Sequence, residues 1–374
     1  MQNVKVAAMF PVVQAGSKFF HGIFDQNRDV SILPVTGGVY DFSDGGNSTL
    51  SAEEYLRFFI ENNGDFFDLS GDFWIEYTSP KRVDNIDREQ FCETFFSLCE
   101  KYGECGRKEY FLFLHFAIYL HRWNEANLKN LKCLLFHLHM FPALVLRKED
   151  PHRRRYSYNQ FEKLFQDFSQ TKLIFLLRNP LCDVESSMSR HHINYTQSLR
   201  IMSHWFCVYQ FLKEKRSAFL IKLLDLHRHF DVVMKEVSTF LEITYDPSIQ
   251  ESTFWGNVFS CRSWKQEVQT NRANPDFIDW KGGILSEYEI SVTRFFFRDV
   301  LATFFPENAK PLRFIDYLRV GKFCLHCVLS VFKVRSLREG YHDYFVPFRD
   351  FLRFYPRLKK LPSLDLSHVK TYNK

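Results

Sequence analysis

The sequence predicts an α/β protein with a parallel central sheet flanked by helices. Three observations lead there. Four apolar runs, "VKVAAMFPV", "KCLLFHLHMF", "TKLIFLLRNP" and "AFLIKLLDLH", are continuous rather than alternating, as strands covered on both faces must be. Segments of helical period alternate with them, including "NQFEKLFQDF", "SLRIMSHWFCVYQFLKEKR" and "HFDVVMKEVSTFLEI". The 374 residues, 45% of them hydrophobic, suffice for a sizeable core.

The first element is the strand "VKVAAMFPV", followed by the small-residue turn Ala15-Gly16-Ser17 and a helix, "KFFHGIFDQN". Such a turn aims backbone N–H groups and the positive helix end at an anion. It is no Walker A loop, because Pro11 stands where the first Gly is needed and Gly16-Ser17-Lys18 replaces Gly-Lys-Ser. No G-x-G-x-x-G dinucleotide fingerprint is present either. "DVSILP" reads as a short second strand and "VTGGVYDFSDGGNSTL" as a loop. Ser51 with Glu54 makes a capping box that opens a helix through about Asn62. Aromatic helices then run to about Asn130, an insertion spanning about 50–130 whose rings are expected to wall a substrate pocket. A second capping box, Ser286 with Glu289, opens the late helix "LSEYEISVTRFFFRDVL". The reading completes the sheet before residue 310, so residues 1–309 form the α/β domain and 310–374 a basic aromatic extension.

Charge follows that division. Residues 310–374 hold 14 Lys and Arg against 5 Asp and Glu, a net of +9, which leaves −4 for residues 1–309. The extension fits anionic lipid heads at a membrane surface, an anionic glycan or another subunit, and nucleic acid is not expected for want of a reader motif. Nine cysteines without framework spacing point to reduced thiols and a cytoplasmic location, with peripheral membrane contact through the extension. Cys324 and Cys327 form one CxxC with no partner pair, so no metal is expected. The apolar stretch "FCLHCVLSVF" is about half of a bilayer span, and no secretory leader is read at the start. Forty-two Phe are read first as core material, with an apolar acceptor pocket as the functional alternative. "PHRRR" reads as a solvated basic loop, and "DWKGG" as a plain turn.

The stretch "LIFLLRNPLCDVESSMSRHH" decides the function class. A buried strand ends at Arg178, Asn179-Pro180 turns the chain, and a helix then carries Ser186 and Ser187. Ligands of parallel sheets bind beyond the carboxyl ends of the strands, where both Arg178 and the Gly16 turn must lie. Here the chain resembles the sulfotransferases that use 3′-phosphoadenosine-5′-phosphosulfate (PAPS). Those enzymes carry an early strand, a [KR]-S-G-[ST]-[ST] turn and a helix around the 5′-phosphosulfate. They also carry a strand ending in Arg-Asn-Pro or Arg-Asp-Pro, with a Ser eight residues after the Arg, around the 3′-phosphate. This chain has "QAGSKFF" and "RNPLCDVES". "AFLIKLLDLHRHFDVVMKEVSTFLEI" and "WKGGILSEYEI" are similar to later family segments, although Leu223 and Leu224 stand where Tyr-Glu is common. The likeness covers roughly residues 4–40 and 130–305.

The resemblance implies a P-loop-like fold and sulfuryl transfer from PAPS to a hydroxyl or amine of a carbohydrate, lipid or small molecule, with no metal. It assigns Gln14, Ala15, Gly16, Ser17, Lys18 and Phe19 to the 5′ end, and Arg178 and Ser186 to the 3′-phosphate. A guanidinium suits that role, because it grips phosphate bidentately and stays charged. His139 aligns with the family's general base, and His137, on the same strand face, stands where Lys is frequent. Gln14 replaces a Lys or Arg that supports the transferring group, and Lys18, one helical turn on, is the substitute cation. Two rivals stay open: a nucleotide-dependent phosphotransferase, and a non-catalytic nucleotide-binding or membrane-surface protein on the same scaffold.

Overall fold

The computed structural model describes residues 4–11, 16–33, 40, 50–62, 67, 86–103, 105–137, 158–202, 204–214, 216–247, 250–254, 257–258, 261–262, 268–269, 272–277, 282–333, 348–349, 352, 355–356 and 359–371. The four apolar runs become strands β1 (Lys5–Pro11), β3 (Cys133–His137), β4 (Lys172–Leu177) and β5 (Ala218–Lys222), and β2 is Val30–Ile32. They form a parallel six-stranded sheet in the order β10-β5-β4-β1-β3-β2, where β10 is Val369–Thr371. Every residue of β3 is buried, and Ala7 to Phe10 of β1 are wholly so. Helices on both faces of the sheet remove the need for polar alternation.

Helix α1 (Ser17–Ile23) follows β1 and runs directly into a tight turn, Phe24–Gln26. Between β2 and β3 come α2 (Ala52–Asn62), α3 (Arg88–Tyr102) and α4 (Arg107–Trp123). The first capping box forms as expected: the Ser51 amide donates to Glu54 Oε2 at 2.9 Å, and the Glu54 amide to Ser51 Oγ at 3.2 Å. Several of the rings expected to wall a pocket are, among the described residues, consumed by packing. Tyr55, Phe59, Phe91 and Phe95 are buried, with Phe59 stacked on Phe91 and Tyr55 tilted against Tyr110. The high Phe content is accordingly core material at Phe10, Phe20, Phe24 and Phe111 as well.

Onward from β3, α5 (Tyr158–Asp167) precedes β4, and α6 (Pro180–His191), α7 (Tyr195–Ile201) and α8 (His204–Lys213) precede β5. After β5 the apolar run coils at once into α9 (Leu223–Arg228), then α10 (Phe230–Leu241). Two small antiparallel pairs follow, β6 (Thr253–Phe254) with β7 (Asn257–Val258) and β8 (Cys261–Arg262) with β9 (Val268–Gln269). The second capping box opens α11 (Glu287–Phe296), and α12 (Arg298–Phe304) continues it. The expected long helix is interrupted only at Phe297, whose amide still donates to the Thr293 carbonyl at 2.9 Å. A further helix, α13 (Phe314–Lys333), packs on α11.

The sheet is not complete before residue 310, which corrects the sequence reading. Val369–Thr371 pairs in parallel with Ala218–Leu220 at the outer edge. Three residues inside "HVKTY" form no apolar run, so the pattern carried no strand signal. A second feature ties α1 down: Asp25, 5% exposed, is gripped by both terminal nitrogens of Arg122 from the end of α4 and accepts from Thr253 Oγ1 at 2.7 Å.

Candidate functional site

Chain order fixes where a ligand can sit. The path from β1 reaches β2 and β3 on one side, then crosses to β4 and β5 on the other, so the connections part at the carboxyl end of β1. β1 and β4 are paired there, with Pro11 opposite Leu176.

Beyond Pro11, Gln14 and Ala15 lie outside the described residues. Gly16 is left-handed, φ 73° and ψ 26°, and its carbonyl accepts from Phe20 N at 3.0 Å to start α1. A Cβ at Gly16 would stand 2.6 Å from Leu223 Cδ1, at the start of α9. Glycine is therefore required both by the backbone angle and by the space. No side chain caps the helix, so the amides of its first turn stay open to an acceptor. Ser17 and Phe19 are half-buried, and Lys18 is described in its backbone alone. We expect Gly16→Ala to cost about 1–3 kcal/mol, read as a lowered melting temperature, together with weaker anion binding at the turn.

Arg178 leaves the end of β4 half-buried. The next residue, Asn179, caps α6 by accepting from the Leu181 amide at 3.0 Å, with Pro180 in the first helical position. Ser186, 7% exposed, lies in the second turn. Its neighbour Glu185 accepts from the Ile284 amide at 2.8 Å. That bond carries the Gly282-Gly283 turn, with φ values of 71° and 121°, to the side of α6 near Ser186. The sequence left this turn without a role. Lys281 is outside the described residues, and Arg272 is engaged with Glu251.

Helix α9 brings these pieces together. His227 stacks on Phe19 with ring centroids 5.0 Å apart, and on Phe277 at 4.2 Å. Its Nδ1 accepts from the Asn274 amide at 3.2 Å, which leaves the ring proton on Nε2. Burial first, and the positive charge of Arg178 second, hold the His227 pKa down at about 4. One helix thus touches the Gly16 turn through Leu223, carries a ring stacked on Phe19, and feels the Arg178 guanidinium. His227 and Phe277 were missed from sequence because no period or spacing links residues so far apart in the chain.

The candidate base His139 lies outside the described residues. His137 ends β3 at 1% exposure, its ring tilted against that of His21 with centroids 5.5 Å apart. His137 thus packs at the strand end beside His21, and its assignment to proton transfer rests on the resemblance alone. His21 is held at about 4 and His115 at about 3, in both cases because burial penalises the imidazolium. An unfolded histidine titrates near 6.5, so below that pH the unfolded chain takes up a proton that the folded one refuses. This stability is complete above pH 6.5 and drains as the pH falls toward 4. For His21 the loss is about 3 kcal/mol, and His21→Gln is expected to flatten the acid limb of a denaturation series by that amount.

A wide open cleft also exists at the opposite, amino edge of the strands, lined by Lys5, Lys172, Arg216, Glu214 and Glu242. Lys5 and Lys172 pair there with Glu242 and Arg216 with Glu214, while Lys108 lies over the ring of Phe168. Among the described residues no group of three or more His, Cys, Asp or Glu is arranged to hold a metal.

No family profile and no curated protein matches the sequence. Among solved structures, the chain is similar to the sulfotransferase domain of the Synechococcus PCC 7002 olefin synthase, at 13% identity and a TM-score of 0.38, over 79% of this chain and 95% of that one. It is similar also to the sulfotransferase domain from the curacin biosynthetic pathway, at 13% identity and a TM-score of 0.37, over 86% of this chain and 98% of that one.

Proposed function

We propose that the chain is a sulfotransferase, moving the sulfuryl group of PAPS to a hydroxyl or amine of an acceptor. The observation that carries this reading is the sheet order, which sets β1 beside β4 so that the Gly16 turn and Arg178 follow the carboxyl ends of neighbouring strands, an arrangement suited to a ligand with an anion at each end. The residues fit such a donor. The first turn of α1 carries no side-chain cap, so its amides are open to an anion, and the end of β4 supplies a cation eight residues before a helical serine.

PAPS supplies an activated sulfuryl group when bound. The first-turn amides of Ser17, Lys18 and Phe19 bind its 5′ end and face the charge that grows on the leaving oxygen. Arg178 grips the 3′-phosphate through paired N–H groups, Ser186 adds a hydroxyl donor, and together they favour this nucleotide over ATP. His139, at the residue the resemblance assigns to the base, takes the acceptor proton. Lys18 supplies the cation that Gln14 lacks.

The full chain should bind adenosine 3′,5′-bisphosphate more tightly than ATP with Mg²⁺ in a calorimetric titration. A preference for ATP would remove the reading in favour of a phosphotransferase. Incubation with radiolabelled PAPS and fractionated acceptors should label one fraction, and His139→Ala should abolish that labelling. Gln14 favours one other reading, a binding scaffold without turnover, which tight bisphosphate binding with no labelled product in any fraction would support.

A further inference from the structure

We propose that α13 is an interfacial helix that seats the protein on an anionic lipid bilayer. Its inner line is Asp316, Val320, Phe323 and Cys327, all buried. Phe323 meets Tyr195 at 5.5 Å and Phe348 at 5.3 Å between ring centroids. A helix that has satisfied its apolar face in this way should be polar on the other side. It is not. Phe314, Leu318 and Leu325 are 78%, 53% and 57% exposed. At 3.6 residues per turn they fall within an arc of about 40°, on the side away from the buried line. Ile315 and Tyr317, also exposed, widen the stripe, and Gly321 lies within it without a side chain.

The charges decide what this stripe fits. From Lys310 to Cys327 the exposed ionic side chains are Lys310, Arg313 and Lys322, all cationic. The segment's one carboxylate, Asp316, is buried and accepts from Ser291 Oγ at 2.6 Å and from the Arg313 amide at 2.8 Å. Arg319 is turned inward to Glu287 and Asp316. The segment itself exposes no acid, and the exposed Glu287 of α11 is paired with Arg319; an apolar stripe bordered by cations matches the boundary of acyl chains and anionic headgroups. Two copies meeting through this face would set like charges against each other, which disfavours self-pairing. The helix lies on the membrane rather than through it, since no helix among the described residues is long and apolar enough to span. This surface is independent of the nucleotide site.

The full-length protein should sediment with phosphatidylcholine vesicles that contain phosphatidylserine, and remain in the supernatant with phosphatidylcholine alone. Raised salt should weaken the binding. Leu318→Asp combined with Leu325→Asp changes two exposed side chains, should leave the melting temperature unchanged, and should weaken vesicle binding at least about tenfold. Lys322→Glu should weaken it in the same direction. Equal binding to both vesicle types, failure of the parent to bind, or unchanged binding by the double variant would each overturn the proposal. A dimer in sedimentation velocity that the double variant abolishes would give the face to a second copy and overturn it as well.

Discussion

Replacing Arg178 by alanine is expected to weaken adenosine 3′,5′-bisphosphate binding about a hundredfold or more, because two charge-assisted hydrogen bonds of about 1.5–3 kcal/mol each are lost. Arg178 is half-buried at a strand end, so its removal opens no core cavity and the melting temperature should hold. Arg178→Lys restores charge without the planar fork and should recover only part of the affinity. A second readout needs no ligand. The guanidinium is one of two causes of the depressed His227 pKa, so Arg178→Ala should raise that pKa above about 4 in an NMR titration of the imidazole, although burial will keep it below an exposed histidine. An unmoved His227 titration would separate Arg178 from the Gly16 turn and undo the two-ended site.

Arg122→Ala should destabilise the fold by about 3–5 kcal/mol, the usual result of stripping one partner from a buried ion pair. Asp25 is 5% exposed and Arg122 is 13% exposed, so water cannot take the place of the guanidinium. The Thr253 hydroxyl also donates to Asp25, at 2.7 Å, but a neutral hydroxyl cannot neutralise a carboxylate. Adding Asp25→Asn should recover part of the loss, since the stranded charge is then gone, and a double-mutant cycle from denaturant melts measures the coupling. The damage should also reach the candidate site. Asp25 immediately follows α1, and Gly22 in that helix packs so closely on Ser252 that a Cβ would stand 2.1 Å from its Oγ. Loosening this contact frees the helix that carries the Gly16 turn, so nucleotide affinity should fall with stability.

Sequence patterns exposed the parts of the fold that rest on local chemistry. Continuous apolar runs gave β1, β3, β4 and β5, because strands covered on both faces need no polar alternation. The two capping boxes at Ser51 and Ser286 marked helix starts, because their partners are three residues apart. Arg178 and Ser186 were singled out by a resemblance to a motif that spaces them eight residues apart on one strand–turn–helix unit. What stayed hidden depends on distant residues meeting. The stack of Phe19, His227 and Phe277 joins three separate segments. Likewise, the Glu185 bond to Ile284 is made by tertiary folding, and nothing in "DWKGG" announces it. The outward stripe of α13 was concealed by its inner one, since both are apolar and a single-helix pattern does not say which is covered.

The strand order also sets a timetable for synthesis. β1 sits at the centre of the sheet, yet its neighbours, Cys133–His137 and Lys172–Leu177, emerge long after it, and the rim of β5 stays open until Val369–Thr371 arrives. At roughly 5–20 residues per second the nascent chain spends many seconds with a strand that is apolar from Val6 to Pro11 unpaired. Such a chain has strong need of a chaperone while it is being made, and removing β10 would leave a permanently open rim on the finished molecule, inviting it to pair with other copies.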